Sequence, residues 1–277
     1  MATDAGCKKE MDDRRRWMLQ FSNKSLSGRG SWRMDSWFGL TSQHYFTPFS
    51  ASHLIVLGSA LSGIFLLILF RKRLSRGSRM FTPVRWTLFS ILLACEITYQ
   101  YWTISNGIWN FASHVPLHLC GMASITAMTG LVTLNRHWIQ ISFFIGIVPS
   151  FLALVTPDMP YDYQHYRFWM FFIQHTAIPW ASLFMAGSKP ETITLHSVFK
   201  VFLLLVAYAL IVGFLINPLT GANYLYLSQL PTADTLLSFF GDGVWYYLNL
   251  GITALLIFLL QFFLWNRYII RRQKRLP

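Results

Sequence analysis

The chain has 277 residues, of which 54% are hydrophobic, 17% aromatic and only 12% charged, and its mean hydropathy is +0.41. Such a composition excludes both a soluble domain and a disordered chain, and describes a polytopic membrane protein. The formal net charge of +12 does not mark a nucleic-acid binder, because the cations gather in an N-terminal stretch, one short loop and the C-terminus, where they act as topology signals facing anionic lipid.

Residues 1–33 form a basic extension carrying Lys8, Lys9, Arg14, Arg15, Arg16, Lys24, Arg29 and Arg33. It lacks the contiguous apolar core of a secretory signal. It reads as a disordered or surface-lying tail, with Trp17 and Trp32 at the interface, or as sequence upstream of a true start at Met34. The membrane domain occupies 34–277. Seven apolar runs follow, near 50–70, 84–105, 114–133, 138–156, 166–187, 195–216 and 244–266, each close to the roughly 20 residues that a helix needs to cross a bilayer. Continuous runs such as Ile64 to Phe70 are unlike the alternation of a membrane barrel. No internal repeat is evident, so the fold class is an all-α integral membrane bundle of seven transmembrane helices in one domain.

Loop charges set the orientation. Arg71, Lys72, Arg73, Arg76 and Arg79 follow the first run, Arg136 follows the third, and Arg267, Arg271, Arg272, Lys274 and Arg275 close the chain. Those segments belong inside, which puts the C-terminus in the cytoplasm and the N-terminus outside. The basic extension conflicts with that placement, and a start at Met34 resolves the conflict.

Polar residues inside apolar runs are costly and mark sites. Glu96, His118 and His175 all fall in the outer half of the bilayer, with His53 near the outer start of the first run. Helical spacing places Glu96, Tyr99, Gln100 and Thr103 on one stripe, Arg167, Gln174 and His175 on another, and stacks His114 on His118. These helices are expected to surround a pocket open to the outside, with Arg167 as a counter-charge to Glu96. The competing reading is that the polar groups only tie helices together. The long loop after the sixth run, with Asn217-Pro-Leu-Thr-Gly-Ala-Asn-Tyr, places Asn223 and Tyr224 over the pocket, unless Thr235 to Phe240 is simply an interfacial segment. Pro149 and Pro179 are expected to kink their helices.

The strings Val-Pro-Leu-His-Leu-Cys at 115–120, Arg-Phe-Trp-Met-Phe-Phe-Ile-Gln-His at 167–175, Asn-Tyr-Leu-Tyr-Leu at 223–227, Val-Trp-Tyr-Tyr-Leu at 244–248 and Phe-Ser-Ala-Ser-His at 49–53 resemble those of the YwaF family of bacterial integral membrane proteins. The resemblance implies the multi-pass architecture from about Met34 onward and a bacterial inner-membrane location, and brings no assigned activity. A remoter likeness to eukaryotic membrane lipid acyltransferases and androgen-induced lipid hydrolases is an analogy without matching motifs.

On chemistry alone, Cys120 can serve as a nucleophile, with His118 or His175 as base and Glu96 orienting it. Two helical positions separate His118 from Cys120 by about 200°, which favours His175. The catalytic set is therefore Cys120, His118, His175 and Glu96, with Gln100, Arg167, Gln174, Asn223 and Tyr224 binding a lipid ester or acyl chain. Acyl transfer or lipid ester hydrolysis is the leading reading; a transporter or small-ligand sensor using Glu96 and the histidines without covalent chemistry is the alternative. Membrane lipids are the expected partners, with no nucleic acid and no protein partner implied. Two histidines and a carboxylate also suit an open zinc site, but no tight zinc spacing is present, so no metal is assigned and no cofactor is specified. Among Cys7, Cys95 and Cys120, a Cys95–Cys120 bridge stays open.

Overall fold

Where no water reaches the backbone, a chain must satisfy its own N–H and C=O groups, and a long apolar run does so as a helix. The computed structural model describes residues 37–42, 44–230 and 239–273, and among them the main elements are seven helices. These are α1 (Ala51–Leu69), α2 (Phe81–Ser105), α3 (Leu119–Thr133), α4 (Arg136–Val155), α5 (Tyr166–Ser188), α6 (Leu195–Ile211) and α7 (Gly243–Gln273). No strand occurs among the described residues; Tyr45 and Tyr161 form an isolated antiparallel bridge. The basic extension, Met34 and most of the Thr235–Phe240 segment lie outside the described residues.

Four helices are long and apolar enough to cross a membrane: α1, α4, α6 with its continuation to Thr220, and α7 to Tyr268. At 15 residues α3 is a shorter apolar helix. The polar stripes of α2 and α5 dilute otherwise sufficient lengths of 25 and 23 residues. Large apolar side chains such as Leu54, Phe65, Leu203, Phe214, Leu256 and Phe263 are exposed on α1, on α6 and its continuation, and on α7. A helix apolar on its outer face as well as its inner one is built for lipid contact.

The core forms where α3, α4 and α5 pack on one another, with α2 against α3 and α5. Small residues allow the close approach. Ser142 and Ser182 are hydrogen-bonded at 2.7 Å, and a Cβ on Gly146 would stand 2.7 Å from the Ser182 hydroxyl. A stripe of small residues with a shared hydroxyl pair holds membrane helices together without any help from hydrophobicity. Pro149 and Pro179 lie inside α4 and α5, which continue through them as helices.

Successive helices run in alternating directions. One end, the site end, gathers the starts of α1, α3, α5 and α7 and the finishes of α2, α4 and α6. There, for instance, His53 on α1 reaches the Leu154 carbonyl on α4 at 2.7 Å. At the other, basic end Arg85 donates from Nε to the Leu131 carbonyl and from Nη2 to that of Val132, and the Lys189 ammonium donates to the Leu134 carbonyl at 3.1 Å. Both cations serve the open carbonyls and negative dipole end of α3.

Candidate functional site

Proline decides how α3 begins. Pro116 has no N–H and bars the preceding residue from helical backbone, and Val115 is accordingly extended at φ −71°, ψ 137°. The third run, expected as one helix from 114, is instead a short turn at Phe111–His114, an extended link, and a helix that starts at Leu119 with His118 as its N-cap residue (φ −66°, ψ 156°). His114 and His118 therefore do not stack one turn apart, and the 200° argument against pairing His118 with Cys120 no longer applies. Three contacts fix the turn and the link. The Tyr208 hydroxyl donates to the Leu117 carbonyl at 2.6 Å, that of Tyr224 donates to the Phe111 carbonyl, and a Cβ on Gly121 would meet the Pro116 carbonyl oxygen at 2.5 Å. Cys120 is a half-buried free thiol in the first turn of α3, where unpaired N–H groups and the helix dipole favour negative charge.

The long loop is drawn onto this turn. After α6 the helix passes through a π turn at Val212–Ile216 to Asn217–Thr220. Asn217 then grips Tyr224 on both sides, accepting from its N–H and donating to its carbonyl at 3.0 Å each. Leu225 and Tyr226 follow with φ of +59° and +54°, two consecutive left-handed side-chain-bearing residues, a strained arrangement that needs a compensating gain. The gain on the page is aromatic: Tyr224 and Tyr226 set their rings 5.1 and 5.3 Å from that of His118. Burial, reinforced by Asp158, Cys120 and Tyr246, pushes the Tyr226 hydroxyl up to about 12, so it stays an O–H donor beside the thiol. Tyr224 is fully buried and lines the turn, whereas Asn223 serves the loop, accepting from Ser228 and Gln229 N–H at 3.0 Å. Tyr226 was not singled out from the sequence; its signal was the second aromatic of Asn-Tyr-Leu-Tyr-Leu.

On α2, Glu96 Oε1 accepts from Gln100 Nε2 at 2.9 Å. The same nitrogen donates to the His114 carbonyl at 2.8 Å, and Gln100 Oε1 accepts from the Trp109 indole at 2.8 Å. Arg167, expected as the counter-charge to Glu96, instead lies over the Tyr99 ring at 4.4 Å and near that of Trp102 at 5.5 Å. A weakly hydrated guanidinium gains from aromatic faces, and among the described residues it makes no ion pair. Gln174 and His175 are buried on α5. The His175 ring stacks on Phe171 at 4.0 Å, and its Nδ1 pairs with the Phe171 carbonyl at 2.8 Å. A carbonyl only accepts, so Nδ1 carries the proton and Nε2 is the free basic nitrogen. The group that orients His175 is thus Phe171 and not Glu96. His53 is bound at both nitrogens, by Phe49 N–H at 2.9 Å and the Leu154 carbonyl, and is a packing residue.

A strap unforeseen in the sequence closes the same end. The Phe38, Gly39 and Leu40 carbonyls accept from Trp102 Nε1 at 2.7 Å, His165 Nε2 at 2.9 Å and the Tyr161 hydroxyl at 3.0 Å. His165 is fully buried and caps α5, its Nδ1 accepting from Arg167 N–H at 3.1 Å. Its pKa is lowered, first by burial and then by the Arg167 charge, against the opposing pull of the Gly39 carbonyl.

The geometry resolves the candidate residues into neighbouring groups: Cys120, His118, Tyr224 and Tyr226 around the start of α3; Glu96, Gln100 and Arg167 with Tyr99 between α2 and α5; and His175 deeper on α5. Their helices all pack on one another. Among the described residues no hydrogen bond joins any two of Glu96, His118, Cys120 and His175, no three potential metal ligands come together, and Cys95 and Cys120 are unbridged. The family model described as TMEM164 family matches residues 48–262. The chain belongs to the TMEM164 family. The match spans all of α1 to α6 and every residue of the three groups above, and leaves out the strap at 38–40. The YwaF likeness rests on the quoted strings alone. No curated protein and no solved structure matches the chain.

Proposed function

We propose that this TMEM164 family member is a lipid-modifying enzyme of the bilayer that transfers or releases an acyl group through Cys120. The observation that carries the reading is the construction around the thiol: a proline-set helix start, a glycine that lets the turn close, and a strained loop that brings two tyrosines onto His118 beside Cys120. A packing cysteine needs none of this.

In the proposed reaction His175 Nε2 takes the thiol proton as sulfur attacks an ester carbonyl of a lipid. The first N–H groups of α3 and the Tyr226 hydroxyl supply hydrogen bonds to the oxyanion that forms. The bond from the carbonyl carbon to the lipid oxygen breaks, that oxygen leaves with the proton from His175, and the acyl group remains on sulfur as a thioester. A hydroxyl of a second lipid, or water, then attacks the thioester, and the thiol is restored. Arg167, a cation that has the Tyr99 and Trp102 rings and the Met170 sulfur around it and no carboxylate partner among the described residues, holds the phosphate of the substrate head group, and Gln100, Gln174 and Tyr224 line its path. Glu96 keeps Gln100 in place.

We read all seven helices as spans, with the N-terminus outside and the C-terminus cytoplasmic, which opens the site end outward. The bacterial inner-membrane location rests on the YwaF resemblance alone.

The test is lipid profiling of cells carrying wild type, Cys120→Ala, His118→Ala, His175→Ala or Glu96→Ala at matched membrane abundance, with intact-mass measurement of the purified protein. An acyl adduct on Cys120 that hydroxylamine removes, and a lipid species whose change is lost by about 100-fold or more in Cys120→Ala and His175→Ala, is the expected result. Profiles equal to the empty vector would sink the enzyme. Glu96-dependent flux into vesicles without product would replace it with a carrier.

A further inference from the structure

At the basic end, opposite Cys120, α1, α4, α5 and α7 leave a cavity of about 340 Å³ with walls including Leu67, Phe143, Ile147, Leu183 and Leu264. Two features set it apart from ordinary lipid-facing surface. The first is Gln261, a cavity residue only 7% exposed, whose Nε2 and Oε1 are both without a hydrogen-bond partner. A buried amide in that state is disfavoured, the more so in a bilayer, where apolar walls cannot hold a water that needs two or more polar contacts. The second is Arg71 at the rim, which donates to the Tyr268 hydroxyl at 2.9 Å and lies over that ring at 5.3 Å. Among the described residues it has no carboxylate partner, and the loop it opens continues with Lys72, Arg73, Arg76 and Arg79.

The two features fit one molecule. Gln261 and Tyr268 are seven residues apart on α7, two turns along one face and about 10 Å in depth. Both long side chains can reach across part of that interval, leaving room for an anionic group at the rim and an ester further in. We propose that this cavity binds one anionic phospholipid, with its phosphate on Arg71, a glycerol ester carbonyl accepting from Gln261 Nε2, and one acyl chain along the apolar wall. The ester answers the donor half of the amide, the half that is more costly to leave bare. The positive loop selects an anionic head group over a zwitterionic one. This site shares no residue with the thiol site and stands whether or not that site is catalytic.

The experiment is native mass spectrometry of the purified full chain, titrated with phosphatidylglycerol or phosphatidylcholine, with Arg71→Gln and Gln261→Leu beside wild type and a thermal melt of each. Wild type should hold one phosphatidylglycerol about tenfold more tightly than phosphatidylcholine. Arg71→Gln should weaken both lipids and narrow that preference, the remaining loop cations keeping part of it, and Gln261→Leu should weaken both lipids several-fold while melting, lipid-free, no lower than wild type, since it removes two unpartnered atoms. Equal retention of the two lipids by wild type, or unchanged retention in both variants, overturns the proposal. A lipid-free Gln261→Leu protein that melts well below wild type also overturns it, because the amide would then be serving the fold.

Discussion

Tyr226 is the residue on which the catalytic reading leans hardest outside Cys120, because two left-handed backbone positions are spent to aim it. Tyr226→Phe keeps the ring against His118 and removes only the donor. It should lower acyl turnover on the order of tenfold or more while leaving the melting temperature near that of wild type, and unchanged turnover would reduce Tyr226 to packing. His165 makes a prediction of a different kind. Its folded pKa lies below the ordinary value of 6.5, so as pH falls through about 6.5 the unfolded chain takes up a proton that the folded one refuses. The unfolded state then binds more protons, and stability must fall toward acid and recover above neutrality. A melt series from pH 8 to 5 should show that slope, and His165→Asn, which can still cap α5, should flatten it. An identical slope in the variant would assign the titration elsewhere. Residues of this kind were hardest to read from sequence. Glu96, His118, Cys120 and His175 stand out because ionisable or reactive groups are rare in apolar runs, whereas His165 and Tyr226 lie in loops whose path depends on tertiary contacts.

Helices were legible wherever hydrophobicity alone decides, and each of the seven runs has its helix. The boundaries departed where one residue outweighed the run. Pro116 delayed α3 to Leu119, and α6 continues through a π turn to Thr220. Arg167 was assigned to Glu96 because opposite charges on adjacent stripes invite pairing, and the aromatic faces of Tyr99 and Trp102 were the competitor that facing alone could not reveal. Helix packing was equally hidden, since it turns on single small residues. A Cβ on Gly63 of α1 would fall 1.9 Å from the Trp180 ring of α5, whose indole donates to the Ala60 carbonyl at 3.0 Å. Gly63→Ala should therefore destabilise by about 1–3 kcal/mol, the usual cost of overpacking, read as a lowered thermal transition in detergent. Adding Trp180→Leu should cost less in the Gly63→Ala background than alone. Strict additivity of the pair would mean that α1 and α5 do not touch there.

At the scale of the whole molecule the question is whether α3 crosses. Its 15 residues span only about 22 Å as a helix, short of the roughly 30 Å of hydrocarbon. The extended link at 115–118 makes up part of the difference at the site end, and Arg85 and Lys189, bound to the last carbonyls of α3, bring charge to its other end, where a basic residue can snorkel and the bilayer can thin. The alternating order of the bundle demands the same outcome, because a re-entrant α3 would put α2 and α4 on opposite headings, whereas both finish at the site end, α2 with Gln100 at the His114 carbonyl and α4 with the Leu154 carbonyl at His53. Exposed Ser113 and Arg136 flank α3 and so report on opposite faces of the membrane. In a background without native cysteines, Ser113→Cys should react with an impermeant maleimide added to intact cells, and Arg136→Cys only after the membrane is opened. Labelling of both from one side would reduce the span count to six, place the two chain ends on one face, and remove the conflict between an outside N-terminus and its basic extension.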